Sequence, residues 1–298
     1  MSKPVIIIYH DNCVDGFAAA WVANKYWFGK HEIKLRPAKY GEEPPYELCK
    51  DAIVMVVDFS YPREKLLQLD SIAFDLTVID HHKSAFEDLT GLNKADIRPT
   101  LVQGLPSFCV FDMEKSGAGL TWDTLFQGQP RPVFIDYVED RDLWRWELPG
   151  SKAVNAYIGV VERTLEEYDK LAAATWSQMV SWGSGGLMQL EYYAQQTAKL
   201  GRSIELFEPG QLVWCVNCSP VGVSEVCDYH LKRLDMPEVI VMGWYINEGK
   251  LLCSLRSLQN TDVSAIAKSF GGGGHKNAAG FKLELPDPFL NKLLGVEL

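Results

Sequence analysis

Apolar residues in the N-terminal part of the chain fall into short, nearly continuous runs that each stop at a polar side chain. PVIIIYHDN starts with such a run and reaches His10, AIVMVV (residues 52–57) stops at Asp58, and residues 71–79 stop at Asp80. Runs of this length without alternation are the mark of strands covered on both faces. Between them lie helix-like segments, FAAAWVANKYW after a turn at Val14-Asp15-Gly16 and REKLLQL. Strand runs alternating with helical ones predict an α/β fold, a mostly parallel sheet with flanking crossover helices. Ligands of such sheets bind beyond the carboxyl ends of the strands, so His10, Asp58 and Asp80-His81-His82 are expected to converge.

Further along, residues 116–126 and 132–138 read as helices, the second leading into EDRDLWRW with Asp140 and Asp142. Residues 164–179 and 188–206 are also helical in pattern, and WGSGG at 182–186 reads as a hinge. GQLVWCVNCS, EVIVMGWYI and KLLCSLRS then read as strands, with SEVCDYHLKRL and DVSAIAKSF as helices. The expected organisation is a domain over residues 1–186, a helical connector over 187–207 and a smaller α+β domain over 208–298. A length of 298 residues is more than one compact core usually serves, which agrees with two domains.

Composition narrows the class. Hydrophobic residues make up 47% and charged residues 23%, the proportions of a globular protein. The apolar runs are far short of the ~20 residues that span a bilayer, and no basic segment precedes an apolar one at the N-terminus. Seven cysteines, an odd number without framework spacing, fit a reducing compartment. The expectation is a cytoplasmic protein with no membrane partner, and a homodimer is compatible with the sequence. A net charge of −10 disfavours extended duplex DNA but leaves open a short anionic substrate held through metal.

Carboxylates and imidazoles arriving from separate strand ends are what a divalent-cation site needs. His10, Asp15, Asp58, Asp80, His81, His82, Asp140 and Asp142 are too many for one ion, so a pair of divalent ions about 3.5–4 Å apart, sharing one carboxylate, is the natural reading. Oxygen and nitrogen donors with few thiolates suit Mn²⁺, with Mg²⁺ or another divalent ion as the alternative. Paired ions neutralise phosphoryl oxygens and lower the pKa of water, which points to phosphoester hydrolysis. Any single aspartate of the set would ordinarily be no more than a turn or helix cap.

YHDNCVDGFAAAW, VVDFS, VIDHHKS, EDRDLWRW and FGGGGHKNAAGF occur in that order, and together they resemble the DHH phosphoesterase superfamily with its associated C-terminal domain. That superfamily includes nanoRNases, single-strand exonucleases, cyclic dinucleotide phosphodiesterases and family II pyrophosphatases. The resemblance implies that Asp58 bridges two ions, that His10 ligates the first, and that Asp15 and His81 ligate the second. It also implies that His82 contacts the scissile phosphate and that Asp80 orients the neighbouring imidazoles. In the fourth motif Asp142 is the matching ligand and Asp140 its competitor. The first motif departs from the pattern, with Cys13 standing where an aspartate belongs. Either Cys13 is a softer ligand, or Asp11 or Asn12 supplies the oxygen, or the first ion binds weakly. A thiolate favours Zn²⁺ or Fe²⁺ over Mn²⁺.

In FGGGGHKNAAGF the glycines let backbone N–H groups approach an anion, as a nest or the start of a helix. Arg256 offers a planar fork suited to phosphate. The resemblance puts Arg256 and His275 beside the non-scissile end of the substrate, with Gly272, Gly273 and Gly274 alongside and Ser254 and Ser257 as further candidates. Cys215-x-x-Cys218 and Cys227-x-x-His230 could hold zinc, but the odd spacing of Cys215 and Cys218 turns them to opposite faces of a strand, so core thiols are expected. Trp144, Trp146 and Tyr157 are expected to pack, with Trp144 as a candidate floor for the site. The leading expectation is a metal-dependent phosphoesterase acting on short single-stranded oligonucleotides or small nucleotides. The alternatives are a phosphomonoesterase or polyphosphate/pyrophosphate hydrolase, or a nucleotide-binding protein weakened in catalysis.

Overall fold

The computed structural model describes residues 3–91, 108–233, 240–258 and 261–295. The chain forms two compact units, Met1–Gly186 and Leu187–Leu298. In the first, strands β1 (Val5–His10), β2 (Ile33–Ala38), β3 (Ile53–Val57), β4 (Asp75–Asp80) and β5 (Phe108–Phe111) form one parallel sheet in the order β2-β1-β3-β4-β5. Helices α1 (Val14–Trp27), α2 (Tyr46–Cys49), α3 (Arg63–Ile72), α4 (Lys83–Leu89), α5 (Gly117–Leu125), α6 (Val133–Asp142), α7 (Ser151–Ile158) and α8 (Leu165–Ala173) accompany it, and α9 (Trp176–Ala198) runs on into the second unit.

The continuous apolar runs have a direct explanation. Along β1, Val5 and Ile7 enter one core with α1, α5, α6 and α8, while Ile6 and Ile8 enter the opposite core with α3. Met55 and Val57 divide from Val54 and Val56 in the same way along β3. Two cores on two faces leave no position for a polar residue until the strand ends.

Two strands carry no such run in sequence. β2 is an edge strand whose Lys34 and Arg36 are exposed and whose Pro37 is tolerated only because an edge needs fewer donors. β5 has just four residues.

The strand order reverses direction between β1 and β3: the chain leaves β1 toward β2, crosses back, and continues outward through β3, β4 and β5. This is the switch point at which doubly wound sheets open a crevice beyond their carboxyl ends.

The second unit holds a mixed six-stranded sheet of β6 (Arg202–Glu205), β7 (Leu212–Asn217), β8 (Ile240–Asn247), β9 (Lys250–Ser257), β10 (Gly273–His275) and β11 (Ala278–Glu284), in the order β10-β11-β9-β8-β7-β6. Helices α10 (Val223–Leu231), α11 (Val263–Ser269) and α12 (Pro288–Leu294) complete it. Of its strand pairs only β7–β8 is parallel.

Two sequence expectations are corrected. The connector over 187–207 is not helical throughout: α9 stops at Ala198, and Arg202–Glu205 pairs antiparallel with β7. Gly201 makes the turn, and a Cβ there would lie 2.0 Å from the Trp214 ring. The hinge at 182–186 is also absent, since these residues lie within α9. Gly183 serves packing instead, because a Cβ there would lie 1.8 Å from the Ala153 carbonyl oxygen. No helix among the described residues is long and apolar enough to cross a membrane.

Candidate metal centre

The parallel register carries three motif residues into one row. Tyr9 pairs with Val57 and Val57 with Ile79, so the next residues of adjacent strands are His10, Asp58 and Asp80. The loops beyond them are drawn together by glycines. A Cβ on Gly16 would lie 2.4 Å from the His10 carbonyl oxygen, and one on Gly117 would lie 2.4 Å from the Asp58 Cβ. Asp58 itself has φ 53°, a left-handed conformation rare outside glycine that aspartate tolerates better than most residues.

Around His81 the carboxylates outnumber the protons available to bond them. Its Nε2 lies 3.0 Å from Asp58 Oδ1, 3.5 Å from Asp142 Oδ2 and 3.7 Å from Asp15 Oδ2. One nitrogen carries at most one proton and cannot satisfy three carboxylates. Both Asp58 oxygens and Asp142 Oδ2 are buried without a hydrogen-bond partner. Asp15 is held by the start of α5, where the Gly117 N–H donates to Oδ2 (2.6 Å) and the Ala118 N–H to Oδ1 (2.9 Å). Asp142 arrives at the last residue of α6.

A second group forms at the end of β1. His10, Cys13 and Asp58 each offer a ligand atom within 4.8 Å of the others, as do Asp15, Asp58 and His81, and also Asp58, Asp80 and His82. Asp58 is common to all three. Of the alternatives to Cys13, Asp11 turns away to accept the Asn12 N–H and face Lys39, and Asn12 is exposed. Asp80 Oδ1 accepts from the backbone N–H of His81 (2.7 Å) and of His82 (3.2 Å) and lies 2.7 Å from His82 Nδ1. Asp80 thus fixes the ring of His82 and the backbone of His81.

The electrostatics are those of buried carboxylates and imidazoles crowded together. Burial, joined by the like charges of Asp58 and Asp142, pushes the Asp15 carboxyl well up. Burial favours protonation of Asp58 too, but His10 and His81 outweigh it and hold Asp58 below the usual carboxylate range. The His81 imidazole is driven well up by Asp58, Asp142 and Asp15 against the opposing effect of burial. Burial and the same three carboxylates push the Cys13 thiol up. A divalent ion inverts this logic by stabilising every deprotonated donor at once.

The residues present fit such an ion. Metal–donor bonds of roughly 2.0–2.3 Å place ligand atoms about 3–4.6 Å apart, the spacing of these clusters.

Asp140 is not part of the cluster. Its Oδ1 accepts the Glu147 N–H (2.9 Å) and its Oδ2 the Leu148 N–H (3.4 Å), so it braces the turn after α6. Between the two candidates of the fourth motif, only Asp142 reaches His81. Trp144 packs edge-on against Trp146, with ring centroids 5.0 Å apart, and Tyr157 packs on Trp182 at 5.0 Å. Sequence reading missed Tyr40. Its ring contacts His10 (5.3 Å), Phe59 (4.9 Å) and His82 (6.1 Å), and no motif or periodicity marks a lone tyrosine after an edge strand.

In the second unit the glycine run has a local explanation. The Gly271 and Gly272 N–H groups donate to Lys268 and Ala267 carbonyls at the end of α11, and Gly271 takes φ 75°, so the glycine run stops a helix at Gly271 and Gly272 follows that stop rather than starting a helix. Gly273, Gly274 and His275 pair with Gly280, Ala279 and Ala278, and Gly274 takes φ 140°. Arg256 donates to the Ser224 hydroxyl (2.7 Å) and the Leu255 carbonyl (2.8 Å), and burial lowers its pKa. Cys215, Cys218 and Cys227 are buried and belong to no cation-binding group among the described residues.

The DHHA1 domain family matches residues 211–294. An uncharacterized protein, R106, of Acanthamoeba polyphaga mimivirus is 28% identical over 304 residues, covering 92% of this chain and 66% of the viral protein. The chain therefore spans just under two thirds of that curated relative. Among solved structures, RecJ from Thermus thermophilus in complex with Mn²⁺ superposes with a TM-score of 0.52 at 14% identity, over 98% of this chain and 52% of RecJ. An exopolyphosphatase-related protein from Bacteroides fragilis gives 0.51 at 11% identity, over 98% and 91%. At these identities the two structures show the fold. The DHHA1 match covers residues 211–294, and the fold of the chain is that of RecJ and of the exopolyphosphatase-related protein.

Proposed function

We propose that the protein is a divalent-metal-dependent phosphoesterase that hydrolyses phosphodiester bonds of short single-stranded oligonucleotides or small nucleotides. The observation that carries this reading is the His81 nitrogen facing Asp15, Asp58 and Asp142 while the buried Asp58 oxygens accept no hydrogen bond. Divalent ions bound there would supply Lewis acidity to phosphoryl oxygens and lower the pKa of water. The Mn²⁺ complex of RecJ, which has the same fold, supports Mn²⁺ as the ion.

In this reading Asp58 would serve both cation positions, with His10 at one and Asp15, His81 and Asp142 at the other. His82, held by Asp80 and with a pKa that Asp80 raises against burial, donates to a phosphate oxygen. In the second unit, Arg256, with Ser224 holding one end of its guanidinium, and His275 are the substrate-binding candidates.

The test is incubation of the purified chain and Mn²⁺ with labelled di- to pentanucleotides, tripolyphosphate and a nucleoside monophosphate. Mononucleotide release is expected. Phosphate release from tripolyphosphate with the oligonucleotides intact would select the second reading, a polyphosphate hydrolase, which the exopolyphosphatase-related neighbour favours. Binding of nucleotide with no turnover of any substrate would reject both.

A further inference from the structure

We propose that Cys13 is a thiolate ligand, and that the centre is chemically divided: a His10–Cys13–Asp58 position selective for a thiophilic dication such as Zn²⁺ or Co²⁺, beside an Asp15–Asp58–His81–Asp142 position that takes a harder ion such as Mn²⁺. The inference rests on the reading that this centre holds cations.

Three observations bear on this position. First, the ligand atoms of His10, Cys13 and Asp58 lie within 4.8 Å of one another, the spacing of donors around one ion. Second, Asp58 Oδ2 is buried, accepts no hydrogen bond and lies 3.7 Å from His10 Nδ1, too far for a hydrogen bond but suited to two ligands flanking a common ion. Third, the two oxygen-bearing neighbours that might replace the thiol are turned away or exposed, since Asp11 is engaged with the Asn12 N–H and Lys39.

Backbone geometry explains why the sulfur points inward. Cys13 is the N-cap residue of α1 in extended conformation, yet its side chain makes no capping hydrogen bond. A serine, threonine or aspartate in that position would ordinarily turn back onto the first-turn N–H groups. The Cys13 thiol is a weak acceptor that feels the Gly16 N–H of that turn while its Sγ stays beside His10 and Asp58. The start of α1 also places the positive end of the helix beside a thiolate.

The two positions then differ in kind while sharing Asp58. One offers sulfur, nitrogen and oxygen, the donor set that selects zinc-like ions; the other offers three carboxylates and one imidazole, which suit manganese or magnesium. Ligation at the first position breaks the Cys13 S–H bond, forms a sulfur–metal bond and releases the proton to solvent.

The experiment is titration of metal-free full-length protein with Co²⁺, reading the near-ultraviolet thiolate-to-cobalt charge-transfer band, with Zn²⁺ and Mn²⁺ as competitors. The expected result is a charge-transfer band in the native protein that Zn²⁺ abolishes at stoichiometric concentration and Mn²⁺ does not. Cys13→Ser and Cys13→Asp should each lose the band while keeping native circular dichroism. Cys13→Asp should also lower the preference for Zn²⁺ over Mn²⁺ by about 10-fold or more.

Co²⁺ bound with ligand-field bands but no charge-transfer band, or a band that persists in Cys13→Ser, would overturn the thiolate assignment and leave the cation centre standing. If no Co²⁺, Zn²⁺ or Mn²⁺ bound at all, the reading of a cation centre would fall, and this assignment with it.

Discussion

Asp58 shows how one residue can be held by its surroundings against its own local preferences. It sits at φ 53°, one residue past the last buried position of β3, with both carboxylate oxygens buried and lacking hydrogen bonds. Left-handed backbone and an unsatisfied buried carboxylate are each costly, and they persist where the surroundings over-determine them. Asparagine also tolerates left-handed φ, so Asp58→Asn removes the charge without new backbone strain. Hydrolysis and cation affinity are expected to fall by about 100-fold or more while the fold is retained, as checked by turnover and equilibrium dialysis. Asp80 acts through His82, and Asp80→Asn should cost about 10–100-fold in turnover through loss of ring orientation. Its dinucleotide KM against kcat is the telling measurement, because a loosened phosphate contact appears in both.

At the scale of elements, α5 does two jobs. Its first two N–H groups grip Asp15, and its first residue, Gly117, lies against Asp58. Gly117→Ala puts a methyl group 2.4 Å from the Asp58 Cβ, so Asp58 must move. A stability loss of about 1–3 kcal/mol is expected, together with loss of cation-induced stabilisation, both read by denaturant unfolding with and without Mn²⁺.

The other end of α5 is tied to α6 by Arg131, whose guanidinium donates to both Asp123 oxygens and lies 3.2 Å from Glu139. Burial raises the Asp123 carboxyl, but Arg131 and Lys115 outweigh it and hold Asp123 below its ordinary value. A carboxyl lowered in the folded state stabilises the fold above its unfolded pKa, and that stability is lost as pH falls through the lowered value. Arg131→Ala should therefore cost about 1–3 kcal/mol at neutral pH and less in acid, a difference that urea unfolding at the two pH values would reveal.

For the whole molecule, each unit buries its own apolar clusters, two in each. Cations bound at the switch point of the first sheet should raise the stability of residues 1–186 by about 2.7 kcal/mol at a hundred times Kd, and chelation should remove the gain. Calorimetry with Mn²⁺ and with chelator is the check. Displacement of the transition of the second unit alone would contradict it.

The α/β class was legible because a strand covered on both faces has to be written as an unbroken apolar run, and the residues that gather at the strand ends were legible because such runs end where their motifs begin. β2 and β5 were hidden, since an exposed edge and a four-residue strand carry too little pattern. The sequence by itself determined which side chains could hold a cation and in what order the chain presents them. Only the tertiary structure decided that Asp142 rather than Asp140 faces His81, that Cys13 rather than Asp11 joins His10, that Tyr40 lies against both imidazoles, and that the glycine run begins by ending a helix. Those outcomes depend on where a side chain points at the end of an element and on close approaches between segments distant in sequence, and neither is encoded in local periodicity.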